Sequence, residues 1–219
     1  MQNLITRLTF CTAMLAASGV VADDTLAPFD RVLGMLCVDL TEDIGCERVF
    51  LLTNEEDDSV ADLLILPNAL IEGTTPILAV EKALWRGGMF GDGPYLGTTD
   101  SGALTLTEEL IGSGRNPFTN VYTIVERGGV LTVAGHTYST YDRLDNSTFQ
   151  CDVNLLTGGY NASATPPQIN LDTDELINDD RVFEQSGRGD VGAFALADLD
   201  YQNPWPEICR TNYDLFFER

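Results

Sequence analysis

The chain has 219 residues, with 12 basic side chains against 34 acidic ones and a formal net charge of −22. A surface of that sign repels phosphate, which excludes nucleic acid and anionic membrane surfaces as partners. A hydrophobic content of 44% argues against disorder, and the length is enough to bury a core.

Residues 1–22 read as a secretory signal peptide. Arg7 supplies the positive start, Leu8 to Val21 is apolar and small, and Val20-Val21-Ala22 offers a cleavage site ahead of Asp23-Asp24. No later stretch approaches about 20 uninterrupted apolar residues, so the expected product is one exported domain, 23–219, without a transmembrane segment. The expected location is periplasmic or secreted. Cysteine usage agrees: outside the leader stand Cys37, Cys46, Cys151 and Cys209, an even number suited to two disulfides in an oxidising compartment. Four cysteines allow three pairings. Cys37 with Cys46 and Cys151 with Cys209 are favoured, and zinc is disfavoured because no C-x-x-C spacing exists and His136 is the single histidine.

Leucine and valine over Asp30 to Leu40 and Ala61 to Ile71 suit helices, but Gly34 and Pro67 interrupt both. Arg48 to Thr53 and Asp62 to Leu66 are short apolar runs between acidic turns, as buried strands are. Gly102 to Leu110 alternates, with Leu104 and Leu106 on one face. The clearest element is a hairpin, Phe118 to Arg127 and Val130 to Tyr141, around Gly128-Gly129. One face is expected to hold Val121, Thr123 and Val125 beside Leu131, Val133 and Gly135, and the other Tyr122, Ile124, Thr132 and Ala134; apolar residues on both suggest a ribbon covered on both sides. Ser163 to Arg188 reads as a long surface loop with a short helix at Asp172 to Ile177. The aromatic tail from Tyr201 is expected to dock onto the body. Together these give a mainly β fold, an antiparallel sandwich-like or curved sheet with little helix. Regular aromatic girdles and a lipid-facing alternation are missing, which argues against an outer-membrane barrel.

Two acidic loops point to a hard cation. Asn54, Glu56 and Asp58 at alternate positions, with Asp62 before an apolar strand, place oxygen donors where a turning loop could converge them on calcium. This stretch, 54–66, resembles the calcium loop of the FG-GAP repeats of integrin-type β-propellers, with Asn54 in place of the leading Asp and Ser59 in place of Gly. The resemblance implies a loop-then-strand unit holding structural calcium. Asp39, Thr41, Asp43 and Glu47 repeat the spacing fifteen residues earlier, bracketed by Cys37 and Cys46. With only two such units the resemblance does not extend to a propeller. The other reading of both loops is a solvated acidic turn, with no cofactor. Asp172 to Glu175, Asp179-Asp180 and Asp198 with Asp200 and Gln202 read as solvated faces.

Catalytic signals are few. A triad would have to use His136, no Gly-x-Ser-x-Gly elbow accompanies it, and a structural imidazole is its expected role. Gly91 to Pro94 lacks the Lys of a phosphate loop. An acid pair of the glycosidase kind needs only two carboxylates and stays open, although nothing singles out a pair. Arg188-Gly189-Asp190 is read as coincidence, and the acceptor patterns at Asn146 and Asn161 matter only in a host that glycosylates. The segment Gly114 to Gly158 is similar to stretches of uncharacterised exported bacterial proteins, which implies a recurring β-rich module and no activity. The expectation is therefore a non-catalytic binding or structural module for an unknown protein or small ligand, with an acid-pair hydrolase as the alternative. Trp85 to Tyr95 and Tyr201 to Trp205 are the expected ligand-contacting segments.

Overall fold

The structure is a computed structural model and describes residues 31–41, 45–68, 75–87, 93–173, 175–177, 179–202 and 205–217. The leader and Asp43 lie outside them, as does 88–92 of the first expected ligand segment. The described chain is mainly β. A four-stranded antiparallel meander comes first: β1 (Val32–Val38), β2 (Glu47–Thr53), β3 (Val60–Leu66) and β4 (Leu78–Trp85), in that spatial order. β1 corrects the helical expectation over Asp30 to Leu40, while β3 is the buried strand expected at Asp62 to Leu66, in place of the helix weighed over Ala61 to Ile71. The leucines and valines of 32–38 and 60–66 alternate against β2, so cross-strand pairing decides where residue composition could not.

A larger antiparallel sheet follows. It runs through β5 (Tyr95–Thr98), β6 (Leu104–Leu110), β7 (Phe118–Arg127), β8 (Val130–Tyr141), β9 (Thr148–Asn154) and β10 (Gly159–Thr165) as a continuous meander. A two-strand hairpin, β11 (Ile169–Asn170) with β12 (Glu175–Leu176), stands where a short helix was expected. The chain then returns as β13 (Phe183–Arg188), pairing with β10, in a stretch expected to be loop. That strand was illegible because it is an outer edge: everything after Phe183 in it is exposed, so no apolar alternation marks it. The large sheet ends at β13 and β5 and does not close into a barrel.

The β7–β8 hairpin is placed where its sequence puts it, with Gly128 and Gly129 both at positive φ, 61° and 84°, as a tight hairpin turn requires. Its facing pattern differs from strict alternation. A bulge at Ala134 pairs Thr123 with Gly135 but Ile124 with Val133, so Val133 joins the buried side of Tyr122 and Ile124. One extra residue in a strand reverses the side on which every later residue falls.

Both sheets share one core, with Val49, Leu51, Leu63 and Ile65 from the small sheet and Leu104, Leu106, Ile124, Val133 and Phe149 from the large one. After β13, the short strand β14 (Phe194–Ala195) pairs with β8 beyond the end of β9, and a 3-10 turn, Leu196–Asp198, leads to helix α1 (Glu207–Phe217). The aromatic tail docks as expected, as a helix: Tyr213, Phe216 and Phe217 surround the Phe149 ring. Cys151 of β9 and Cys209 of α1 stand at disulfide distance, with Cα atoms 5.6 Å apart, as do Cys37 and Cys46 at 5.3 Å.

The Cys151–Cys209 bridge spans 58 residues and the Cys37–Cys46 bridge spans 9. Loop-closure entropy then assigns about 4 kcal/mol to the first and about 3 kcal/mol to the second. Denaturant unfolding of the Cys151→Ser/Cys209→Ser variant is expected to show the larger loss of stability, with α1 the first element to lose amide-exchange protection.

Candidate functional site

Hydrogen bonding already occupies the acidic loop at 54–62. Asn54 Oδ1 accepts from the amides of Glu56 and Asp57, both at 3.0 Å, and its Nδ2 donates to Asp62 Oδ1 at 2.8 Å. Asp62 Oδ1 also accepts from the Lys82 amide at 2.9 Å. Lys82 sits in a bulge of β4 opposite Asp62 with φ at 54°, and its carbonyl receives the Tyr201 amide. Glu56 turns outward to the Lys82 ammonium, and Asp58 is exposed. The earlier loop follows the same logic. Glu47 is buried, accepts from the Leu40 amide at 2.7 Å and from the Thr41 hydroxyl at 2.8 Å, while Asp39 is exposed. In both loops the final acid is spent on one backbone amide and one side-chain donor. Among the described residues no group of three or more His, Cys, Asp or Glu side chains gathers as a cation site would need.

A second polar cluster lies inside the molecule. Glu108, on the inward face of β6 after Leu104 and Leu106, is 3% exposed. Its Oε2 accepts from the Trp85 amide of β4 at 2.8 Å, and its Oε1 accepts from Asn120 Nδ2 at 2.8 Å and from the Tyr122 hydroxyl at 3.3 Å. Asn120 Oδ1 in turn lies 3.0 Å from Nε2 of His136, which is 4% exposed. Because the Asn120 amide nitrogen faces a carboxylate, its oxygen faces the imidazole, and Nε2 is the atom that carries the proton. In the neutral ring Nδ1 is then a bare acceptor, and it has no partner among the described residues. Neutral is the state that burial favours, since it pulls the His136 pKa down to about 4. Burial also pushes the Glu108 carboxyl up, against the pull of its bonds from Trp85, Asn120 and Tyr122.

His136 and Tyr122 form one wall of a cavity of about 260 Å³, completed by Leu155, Val191, Gly192, Phe194 and Pro206. The cavity lies where the chain leaving β13 crosses back over the inner face of the large sheet. The structural role expected for His136 fits its hydrogen bond to Asn120. Glu108, Asn120 and Tyr122 were not singled out by sequence reasoning, although an acid at an inward position of the Leu104–Leu106 alternation was a readable sign of a buried polar contact. In the described parts of the expected ligand segments, which exclude 203–204 as well as 88–92, half-buried Trp85 packs near Phe118 at 5.9 Å, half-buried Trp205 packs on Tyr213 at 5.7 Å, and Tyr95 is exposed. Arg188-Gly189-Asp190 closes the end of β13, with the Gly189 amide bonded to the Gly158 carbonyl. Among the described residues no helix is long and apolar enough to cross a membrane. Comparison with known protein families, with curated proteins and with solved structures returns no match.

The loop geometry makes Asp62→Ala costly, about 1–3 kcal/mol, because two donors lose their acceptor, while Asp58→Ala is expected to be nearly silent in thermal unfolding. The imidazole sets a pH dependence. An unfolded chain takes up a proton near the ordinary 6.5, whereas the folded one refuses it until about 4. Stability from this group is therefore complete above 6.5 and is lost as pH falls towards 4, on the order of 3 kcal/mol in total. Glu108, with its raised carboxyl, works in the opposite sense. The diagnostic quantity is the difference between wild type and His136→Gln in urea unfolding between pH 7 and 5: the wild type is expected to lose stability more steeply.

Proposed function

We propose that the protein is an exported, non-catalytic binding module of the periplasm or exterior, and that its ligand site is the apolar cavity at His136. The observation that carries this reading is the cavity's composition. Apolar side chains dominate it, and the two polar ones, Tyr122 and His136, belong to a buried and largely satisfied network, as in sites built to hold a small molecule. Export is supported by the two cysteine pairs at disulfide distance, which suit an oxidising compartment. In this reading the loop at 54–62 is a structural turn that needs no cation.

An acid-pair hydrolase would need two carboxylates facing each other across a cleft. None lines the His136 cavity. Asp39 and Glu126 line a separate shallow groove, where Glu126 already accepts the Gly129 amide of the hairpin turn.

Gly192 provides the test. It lines the cavity and a Cβ there meets no atom within 4 Å, so Gly192→Leu adds bulk at the cavity without a local clash. Single-ring hydrocarbons such as toluene are expected to raise the melting temperature of the wild type in a saturable way and to leave Gly192→Leu unaffected. An absence of any shift in the wild type overturns the cavity as a binding site. In parallel, melting curves in excess calcium, excess magnesium and chelator are expected to superimpose; a calcium-specific rise abolished by Asp58→Ala would instead restore the cation loop.

A further inference from the structure

We propose a second binding site on the outer face of the large sheet, a groove that holds a neutral, extended oligosaccharide of β-linked pyranose units. The inference goes beyond the cavity reading and does not depend on it.

The groove, of about 330 Å³, runs across β7 to β10. Its floor is one cross-strand row. Thr119 stands opposite Ser139, Ser139 opposite Gln150, and Gln150 opposite Ser163, one residue from each of four neighbouring strands. Each alternates with a buried neighbour, Asn120, Tyr138, Cys151 or Ala162, so the row points away from the core. Two other hydroxyls in the lining are already committed: Thr140 donates to the Pro117 carbonyl at 2.6 Å, and Thr148 shares a hydrogen bond with Thr165 at 2.8 Å. Ser139, Gln150 and Ser163 have no side-chain partner among the described residues, and Thr119 reaches only Glu109, at 3.5 Å. One end of the groove is braced, because the Arg143 guanidinium donates to the Ile111 carbonyl and ties the turn after β8 to the loop after β6.

Four features define the ligand. None of the lining residues is charged, on a chain of net charge −22. Hydroxyls and a carboxamide both donate and accept, and their natural counterpart is a ligand whose own groups do the same, which is to say hydroxyls. The row continues to an acid at each end, Glu109 beyond Thr119 and Glu184 beyond Ser163, so an anionic chain is repelled from both sides. Tyr141 follows Ser139 by two residues on the same face, is 42% exposed, and stacks on no other ring among the described residues. Such a ring offers a flat apolar surface to the C–H face of a sugar while its neighbours offer hydrogen bonds.

Spacing sets the linkage. Neighbouring strands lie about 4.8 Å apart, so the four floor positions repeat at close to the advance of one β-1,4-linked pyranose. The sheet's twist turns each position relative to the last, and rotation about the glycosidic bonds follows it. An α-1,4-linked chain coils and leaves the row after a unit or two. The two flanking acids are about 24 Å apart, five strand spacings, far beyond the separation of a hydrolytic acid pair, so the sugar is held and not cut.

The experiment titrates cellotetraose, maltotetraose and tetragalacturonate into the wild-type protein, read by calorimetry and by amide shifts of ¹⁵N-labelled protein. Cellotetraose is expected to bind, with the largest shifts at Ser139, Gln150 and Ser163; maltotetraose is expected to bind at least tenfold more weakly, and tetragalacturonate not at all. Tyr141→Ala is expected to weaken cellotetraose about tenfold and Gln150→Ala about fivefold, the worth of one stacked ring and of one hydrogen bond. Both side chains are exposed, so melting temperatures are expected to stay at the wild-type value. Absence of cellotetraose binding at millimolar concentration overturns the site. Binding that neither variant weakens, or shifts confined to other residues, overturns its placement. Equal binding of maltotetraose overturns the linkage requirement, and binding of tetragalacturonate overturns the requirement for a neutral chain. These outcomes are separate from the fate of the His136 cavity, which is read with toluene and Gly192→Leu.

Discussion

A single buried carboxylate joins the two halves of this molecule. Glu108 reaches from the large sheet to the Trp85 amide at the end of the small one, and holds Asn120 and Tyr122 of its own sheet with its second oxygen. A charge in that position is costly to bury and becomes tolerable only when its lone pairs are met. Each of the three donors is consequently fixed: the last residue of β4, the amide that orients His136, and the ring that walls the cavity. Loss of the carboxylate would leave three buried donors unpaired at once, so the relative placement of the sheets and the chemistry of the cavity depend on the same atom pair.

Much of the fold was legible because it follows local rules. The Gly128-Gly129 hairpin, the inward Leu104 and Leu106, and the docking aromatic tail were each readable from turn chemistry or alternation. The parts that were not readable are those set by distant partners. β1 carries residues that suit helix or strand equally, and only pairing with β2 decides. β13 has no inward face to announce it, and the bulge at Ala134 leaves no mark in the sequence.

The candidate site divides in the same way. The spacing of acids at 39–47 and 54–62 was visible, but spacing reports only which oxygens are near one another along the chain. It does not say what each oxygen is bonded to, and in the folded protein Asp62 supports the left-handed Lys82 while Glu47 closes the loop inside the Cys37–Cys46 bridge. The Glu108–Asn120–His136 chain joins three adjacent strands and required their register. His136 was noted for its solitude in the sequence; its tautomer, which gives it chemical meaning, is dictated by a residue twenty-eight positions away.

The outer edge of the large sheet has a consequence for the protein's life among its own copies. An unpaired strand presents a rail of amides and carbonyls onto which another chain can add, and sheets that leave such a rail flat and greasy tend to polymerise. Here the rail is β13, fringed by Glu184, Gln185, Ser186 and Arg188, all exposed, on a chain of strongly negative charge. Two copies approaching edge to edge would have to strip water from these groups and overcome mutual repulsion. The strand that the sequence hid for want of apolar residues is, for the same reason, a guard against runaway assembly at high concentration.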